Sequence, residues 1–150
     1  MAATSYYFSG EARWAKVYTH NKDEYKGKTF FSLDLVVDDE TAERFIATGS
    51  QHKPRPDPET GKKLLKLRRN EINEQNPEWG GPPKVIAEKD GTYVDFEELI
   101  GNGSQVTVRV TVYDSGQGKG TRLDVVRVDE LVEFGGTKVD TSGLDIGVPF

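Results

Sequence analysis

Residues Phe8–Val37 read FSGEARWAKVYTHNKDEYKGKTFFSLDLVV, two strand-like runs joined by a polar connection that contains lysines. In the second run every other residue from Phe31 to Val37 is apolar, which predicts a β-strand with one side facing a core. In the first run the same period places Trp14, Lys16 and Tyr18 on one face. The predicted opposite face of that run consists of Arg13, Ala15 and Val17.

Aromatic rings and cationic side chains alternate along this stretch. Rings can stack on unpaired bases, at roughly 1–3 kcal/mol per base, while lysines and arginines contact phosphates. The stretch is therefore suited to single-stranded nucleic acid, although ordinary half-buried strand aromatics beside solvated lysines would give the same pattern. The candidate binding residues in it are Trp14, Lys16, Tyr18, Tyr25, Lys26, Lys28 and Phe30.

The composition is typical of one soluble, rather polar domain. The chain has 150 residues, of which 30% are charged and 35% hydrophobic, and its mean hydropathy is -0.64. No apolar run approaches the length of a membrane span, and the N-terminus lacks a signal-peptide pattern, so we expect a cytoplasmic protein without membrane contact. The absence of cysteine excludes disulfides, zinc-thiolate sites and thiol nucleophiles.

Charge is unevenly distributed around the formal net value of -5. Residues 51–70 hold seven cations against two anions, whereas residues 123–150 hold two cations against six anions. This asymmetry is typical of nucleic-acid contact combined with an acidic tail. The candidate phosphate contacts in the basic segment are Lys53, Arg55, Lys62, Lys63, Lys66 and Arg68. Trp79, in a loop rich in glycine and proline, is either a stacking platform or an anchor packed on the body.

The remaining pattern predicts a mainly β chain with one short helix and long loops. The helix follows acidic residues 38–40 and ends before Gly49. Residues 1–9 read as a loose N-terminal arm, and residues 50–63, with three prolines and a glycine, as a long exposed loop. Glu97–Ile100 is a candidate helical turn. The five predicted strands are 10–19, 28–37, 64–72, 105–113 and 121–134, and residues 84–88 form a short apolar run. Val125–Val126 interrupts the alternation of the last strand, which indicates a bulge or a change of sheet face.

The sequence gives little support for an enzyme. Acidic pairs such as Asp95/Glu97 and Asp124/Asp129 could bind a divalent ion in a nuclease, but no spacing distinguishes them from solvated surface carboxylates. The only two histidines, His20 and His52, lie in predicted loops, so neither a catalytic triad nor a histidine metal site is supported. The segment 116–121, GQGKGT, has the wrong spacing and context for a phosphate-binding loop. Its Lys119, at a hairpin tip, remains a candidate phosphate contact. We expect no catalytic residue, no cofactor and no metal.

Several segments together resemble the single-stranded DNA-binding proteins of tailed bacteriophages. They are ARWAKVY, NKDEYKGKTFFSLDL, IGNGSQVTVRVTVY and GKGTRLDVVRVDELVEF, which span about residues 10–134. The resemblance implies an OB fold, a five-stranded Greek-key β-barrel whose sheet face and loops bind oligonucleotides. It also implies sequence-nonspecific single-stranded DNA binding in phage replication, recombination or repair. The helix after the second strand departs from the usual OB order.

The C-terminus, residues 135–150, predicts a flexible acidic tail with an apolar end. That end is similar to the tip of bacterial single-stranded DNA-binding proteins. The similarity implies that replication or recombination partners bind Asp145, Val148, Pro149 and Phe150. The rival hypothesis is a β-barrel protein-interaction or virion-structural module without nucleic-acid binding, and the sequence leaves monomer and homodimer open.

Overall fold

One mixed β-sheet forms the body of the computed structural model, which describes residues 3–18, 22–72, 77–114, 118–133 and 137–138. Nine strands within these ranges form the sheet, in the order β4-β5-β3-β1-β8-β9-β6-β7, with β2 paired to β3. The pair β6–β9 is parallel and the other pairs are antiparallel. The strands are β1 Ala3–Lys16, β2 Asp23–Tyr25, β3 Lys28–Val37, β4 Arg55–Pro56, β5 Lys63–Asn70, β6 Lys84–Lys89, β7 Thr92–Asp95, β8 Gln105–Asp114 and β9 Lys119–Glu130. Two short strands, β10 Val132–Glu133 and β11 Thr137–Lys138, pair with each other.

Alternating apolar residues place the core on one side of this sheet. In β3, Phe31, Leu33 and Leu35 are fully buried, and in β8 the valines from Val106 to Val112 are buried in the same way. Both patterns confirm the strand predictions, because successive side chains of a strand point to opposite faces. At Gly10 the backbones of β1 and β3 approach so closely that a Cβ atom would lie 2.2 Å from the Val36 carbonyl oxygen.

The single α-helix of the described residues, α1 at Asp39–Ala47, lies where the sequence predicts it. The Asp38 carboxylate accepts a hydrogen bond from the Thr41 amide at 2.8 Å and caps the N-terminus. Phe45 is buried against Phe8, with ring centroids 5.4 Å apart. Within the described residues, no helix is long and apolar enough to cross a membrane.

A β-bulge corrects the predicted facing of β1. The register against β3 shifts between Arg13 and Lys16, and Trp14 between them has a φ of +52°. As a result Ala12, Ala15 and Val17 face the core, whereas strict alternation placed Arg13 on the same face as Ala15 and Val17. Strand β9 contains a bulge at Asp124, where the pairing with β8 shifts, next to the Val125–Val126 pair that indicated a bulge or a change of sheet face.

The predicted closed five-stranded barrel is also corrected. Within the described residues the hydrogen-bonded order runs from β4 to β7 without closing. Arg69 spans the seam between β5 and β9, donating to Asp124 Oδ1 at 3.1 Å and to the carbonyls of Gly81 at 2.9 Å and Gly80 at 3.1 Å. Thr111 also donates to Asp124. A charged side chain therefore joins two strands that share no backbone ladder.

Three other segments differ from their predictions. Residues 3–9, expected as a loose arm, pair with β8 from Ala3↔Tyr113 to Ser9↔Thr107. The 50–63 loop contains β4 and a turn built on buried Asp57, which accepts a hydrogen bond from Thr60 Oγ1 at 2.5 Å. Residues 97–100 are not helical. Apart from the two residues of β11, the predicted tail lies outside the described residues.

Candidate nucleic-acid interface

The pairing of β1, β3 and β5 brings several of the predicted ring and cation residues onto one outer surface. Lys16, Ser32 and Arg68 are consecutive partners across the three strands, so their Cα positions span about 10 Å. The next row consists of Arg13, Asp34 and Lys66. Leu64 is on the same side of β5 as Lys66, so its partner Arg55 also lies on this side of the sheet. We name as the ring-and-cation face the residues Trp14, Lys16, Lys28, Phe30, Arg55, Lys66 and Arg68.

Trp14 is held at this face by its backbone. Its side chain is 65% exposed, and its amide donates to Asn102 Oδ1 at 2.8 Å. The loop of Asn102 also bonds Ala12 on both sides, through Ala12 N to Ser104 O at 2.7 Å and Gly103 N to Ala12 O at 3.0 Å. A bulky residue at positive φ is strained, and such strain clusters at functional sites. The loop thus presents a large ring to solvent next to Lys16.

Phe30 is covered on one side by a cation. The guanidinium carbon of Arg68 lies 4.2 Å from the centroid of the Phe30 ring, a cation–π contact. Both side chains are on the outer side of neighbouring strands, and Arg68 is exposed. The arrangement can hold a base and a phosphate together, because the ring offers a stacking surface and the guanidinium offers donors to phosphate oxygens.

The predicted cations of the basic segment 53–68 separate into different places. Lys66 is exposed and pairs with Asp34 at 3.3 Å, while Lys62 is exposed just before β5. Lys63 pairs with Val37, on the core side of the sheet, and is half-buried. Lys53 donates to the Ser50 carbonyl at 3.4 Å, in a loop bridged to Lys119 of β9. The basic segment 53–68 therefore contributes mainly Arg55, Lys66 and Arg68 to the face.

Tyr18 lies away from this face, packed against the core. Its hydroxyl donates to the carbonyls of Phe96 at 2.8 Å and Glu98 at 2.9 Å. Burial, reinforced by Glu97 and Glu98, raises the pKa of Tyr18 far above its ordinary value. These contacts give Tyr18 a structural role, so stacking on it remains only a prediction.

The other predicted residues that the structure describes lie in or beside turns. Tyr25 pairs with Lys28, and Lys26 and Gly27 form the intervening turn with φ of 53° and 78°, as two-residue hairpins require. Trp79 ends a 3-10 turn, Pro77–Trp79. Asp145, Val148, Pro149 and Phe150 lie outside the described residues.

Sequence reasoning missed a basic notch beside the ring-and-cation face. A cavity of about 260 Å³ between β5 and β9 is lined by residues that include His52, Arg68, Arg69, Tyr113 and Arg122. Arg122 and Arg69 both donate to Asp124, at 2.6 and 3.1 Å. Burial lowers the pKa of Arg69. Arg69 and Asp124 are 55 positions apart in the chain, so no local motif could have indicated this site. Within the described part of the chain, no group of three His, Cys, Asp or Glu side chains could hold a metal ion.

Three solved structures that share this fold are of single-stranded DNA-binding proteins of bacteriophages. One is gp2.5, a single-stranded DNA-binding protein encoded by bacteriophage T7, with a TM-score of 0.60 and 16% identity over 99% of this chain and 98% of that one. Another is the single-stranded DNA-binding protein from bacteriophage Enc34, with a TM-score of 0.51 and 17% identity over 94% and 88%. The Enc34 protein in complex with ssDNA gives 0.51 and 14% over 92% and 87%.

The resemblance to phage single-stranded DNA-binding proteins inferred from the sequence is thus confirmed at the level of the fold. At these identities the similarity establishes the shared fold. A scan against protein-family models and a search of curated protein sequences found no match.

Proposed function

We propose that this chain is an OB-like, sequence-nonspecific single-stranded DNA-binding protein without enzymatic activity. The observation that carries the proposal is the ring-and-cation face, where exposed Trp14 lies beside the row formed by Lys16 and Arg68. The shared fold with phage single-stranded DNA-binding proteins supports it independently. Bases would stack on Trp14 and Phe30, and phosphates would meet Lys16, Arg55, Lys66 and Arg68.

The proposed context is phage DNA replication, recombination or repair in the cytoplasm of an infected bacterium. A chain with a net charge of -5 can hold DNA only where cations are concentrated, and the ring-and-cation face supplies such a place. We further propose that the acidic C-terminal tail binds replication or recombination proteins through Asp145, Val148, Pro149 and Phe150. Removal of residues 135–150 should then abolish capture of such partners and leave DNA affinity largely intact.

A mobility-shift experiment tests the DNA-binding proposal. The full chain should retard labelled oligo-dT at low salt and leave a duplex of equal length unshifted, because a duplex hides the base faces that the rings need. Labelled DNA should stay intact when magnesium or manganese is added. A protein that shifts neither DNA would instead favour a module that binds protein, and equal shifts of both would contradict selective binding of single strands.

A further inference from the structure

A second surface, remote from Trp14 along β1, also combines exposed rings with cations. Among the described residues the exposed large aromatic side chains are Tyr7 at 62%, Trp14 at 65% and Tyr93 at 56%. Tyr7 is seven residues before Trp14 on β1, about 23 Å along an extended strand. Tyr7 and Tyr93 border one groove of about 570 Å³, which we name the Tyr7–Tyr93 groove.

Strand register places three cations between the two rings. Tyr7, Arg109, Val125 and Lys84 are consecutive partners across β1, β8, β9 and β6. Arg127 lies in the neighbouring row, opposite Thr107. From β1 to β7 the sheet extends over four strand spacings, about 19 Å. The groove therefore has a stacking surface at each border and positive charge across its floor.

The cations differ in how they are paired. Arg127 donates to Asp129 at 2.7 Å, to Thr107 Oγ1 at 3.0 Å and to the Tyr93 hydroxyl at 3.4 Å, so it is oriented by its neighbours. Among the described residues, Arg109 and Lys84 form no ion pair, and Arg109 donates only to Ser5 Oγ, at 3.4 Å. Of the described residues that line the groove, Asp95 is the one with a carboxylate. The surface of the Tyr7–Tyr93 groove is complementary to a polyanion that carries flat groups, such as the bases of a nucleic acid.

We propose that the Tyr7–Tyr93 groove binds a second segment of the same single strand that occupies the ring-and-cation face. The ligand chemistry rests on the proposed function, but the surface is distinct. Exposed tyrosines at the borders stack bases, and Arg109, Lys84 and Arg127 contact phosphates between them. A short strand fills the first face alone, and a longer strand passes over the sheet to reach the groove.

Affinity for oligo-dT of two lengths tests this proposal. One oligonucleotide is about 8 nucleotides, within the roughly 4–16 that one OB fold occupies, and the other about 30. The full-chain double variant Tyr7→Ala/Tyr93→Ala should bind the short strand as the parent does and the long strand at least about tenfold more weakly. Tyr7→Phe/Tyr93→Phe should restore the long-strand affinity, because it keeps both rings. Ile46→Ala, at an apolar residue 46% exposed on α1, is the matched control and should change neither.

The variant Arg109→Gln separates phosphate contact from stacking. It should reduce the magnitude of the salt slope, the change in log affinity with log salt concentration, by about 0.7 for the long strand. The slope for the short strand should stay unchanged. Unaltered long-strand affinity and site size in the tyrosine double variant would overturn the groove proposal. That outcome differs from failure of the proposed function, in which the parent itself would bind neither strand or Trp14→Ala would affect neither.

Discussion

At the scale of single residues, Trp14 combines backbone strain with exposure. Its φ of +52° is costly for any side chain with a Cβ and free for glycine. We predict that Trp14→Gly folds more stably than Trp14→Ala, by about 1 kcal/mol in the free energy of unfolding. Both variants should lose about 1–3 kcal/mol of single-strand affinity, because the stacking ring is removed. The salt slope should stay unchanged, because every phosphate contact is kept.

Urea unfolding and anisotropy of labelled oligo-dT check the two effects separately. Ile46→Ala removes a similarly exposed apolar side chain outside the face and is the control. Parent-like affinity in Trp14→Gly would remove this ring from the interface.

The carboxylate of Asp57 makes the stability of the fold depend on pH. The Thr60 hydroxyl hydrogen bond, together with the Glu59 amide and Arg13 at 2.9 Å, holds the pKa of Asp57 below its ordinary value. A depressed folded-state pKa stabilises the protein above the unfolded value of about 3.9, and this stabilisation disappears as the pH falls through the folded pKa. We therefore predict that stability declines as the pH falls below about 4, and that Asp57→Asn declines less steeply.

Urea unfolding at a series of acidic pH values measures this slope. Asp38 and Glu71, whose pKa values are also lowered, should keep part of the slope in Asp57→Asn. An identical slope in the variant and the parent would show that Asp57 titrates alike in both states.

The facing of β1 shows what residue patterns cannot predict. Rings and cations at Trp14 and Lys16 are visible in the sequence, but the bulge between Arg13 and Lys16 arises from pairing with β3 and from the Asn102 loop. Asn102 is 88 positions away from Trp14 in the chain. The hydrogen bond between them therefore cannot be predicted from the residues around Trp14. For the same reason Tyr18, placed by alternation beside Trp14, instead packs against the core.

At the scale of elements, β5 carries two adjacent arginines, one with a structural role and one on the proposed DNA-binding surface. Arg69 points to the β5–β9 seam, where its side chain is 11% exposed and contacts Asp124. Arg68 points outward over Phe30. We predict that Arg69→Met loses about 3 kcal/mol of stability, since it leaves Asp124 and two carbonyls short of a donor. Arg68→Met should lose less than about 1 kcal/mol of stability and weaken DNA binding.

Thermal unfolding and strand titration of this matched pair distinguish the two roles. If both substitutions reduced stability equally, or neither affected DNA affinity, the assignment of the two faces of β5 would be wrong.

Elements with strong internal periodicity were predictable, and those defined by their partners were not. The strand β3 matches its predicted bounds of 28–37, and β8 differs from its prediction by a single residue, because apolar residues recur at every second position over most of each strand. The short strands β4 and β7 have no such pattern and exist through pairing with β5 and β6. The failed helical turn at 97–100 had too few residues to nucleate a helix against those contacts.

At the scale of the whole molecule, a negatively charged chain must bind a polyanion through local charge. Each phosphate that it neutralises contributes a slope of about -0.7 in log affinity against log salt. With four cations of the ring-and-cation face engaged, we predict a slope near -3 for single strands. Anisotropy titrations at several salt concentrations measure it, with Arg55→Gln expected to reduce its magnitude by about 0.7. A slope near zero would contradict phosphate contact.

The fold class and its resemblance to phage single-stranded DNA-binding proteins followed from the sequence, whereas the open sheet did not. Closure depends on whether β5 and β9 share a backbone ladder, and here the seam is bridged by Arg69. Charge runs likewise showed that residues 51–70 are basic, but only the register separates Arg55, Lys66 and Arg68 from Lys63, which is on the core side.

The most direct test is tryptophan emission during titration with poly-dT at low salt. In a Trp79→Phe variant the emission comes from Trp14 alone, since the chain has two tryptophans. Stacking of bases on Trp14 predicts quenching that saturates as DNA is added and reverses when salt is raised. Emission that stays constant while DNA is bound, or no binding at all, would contradict the account.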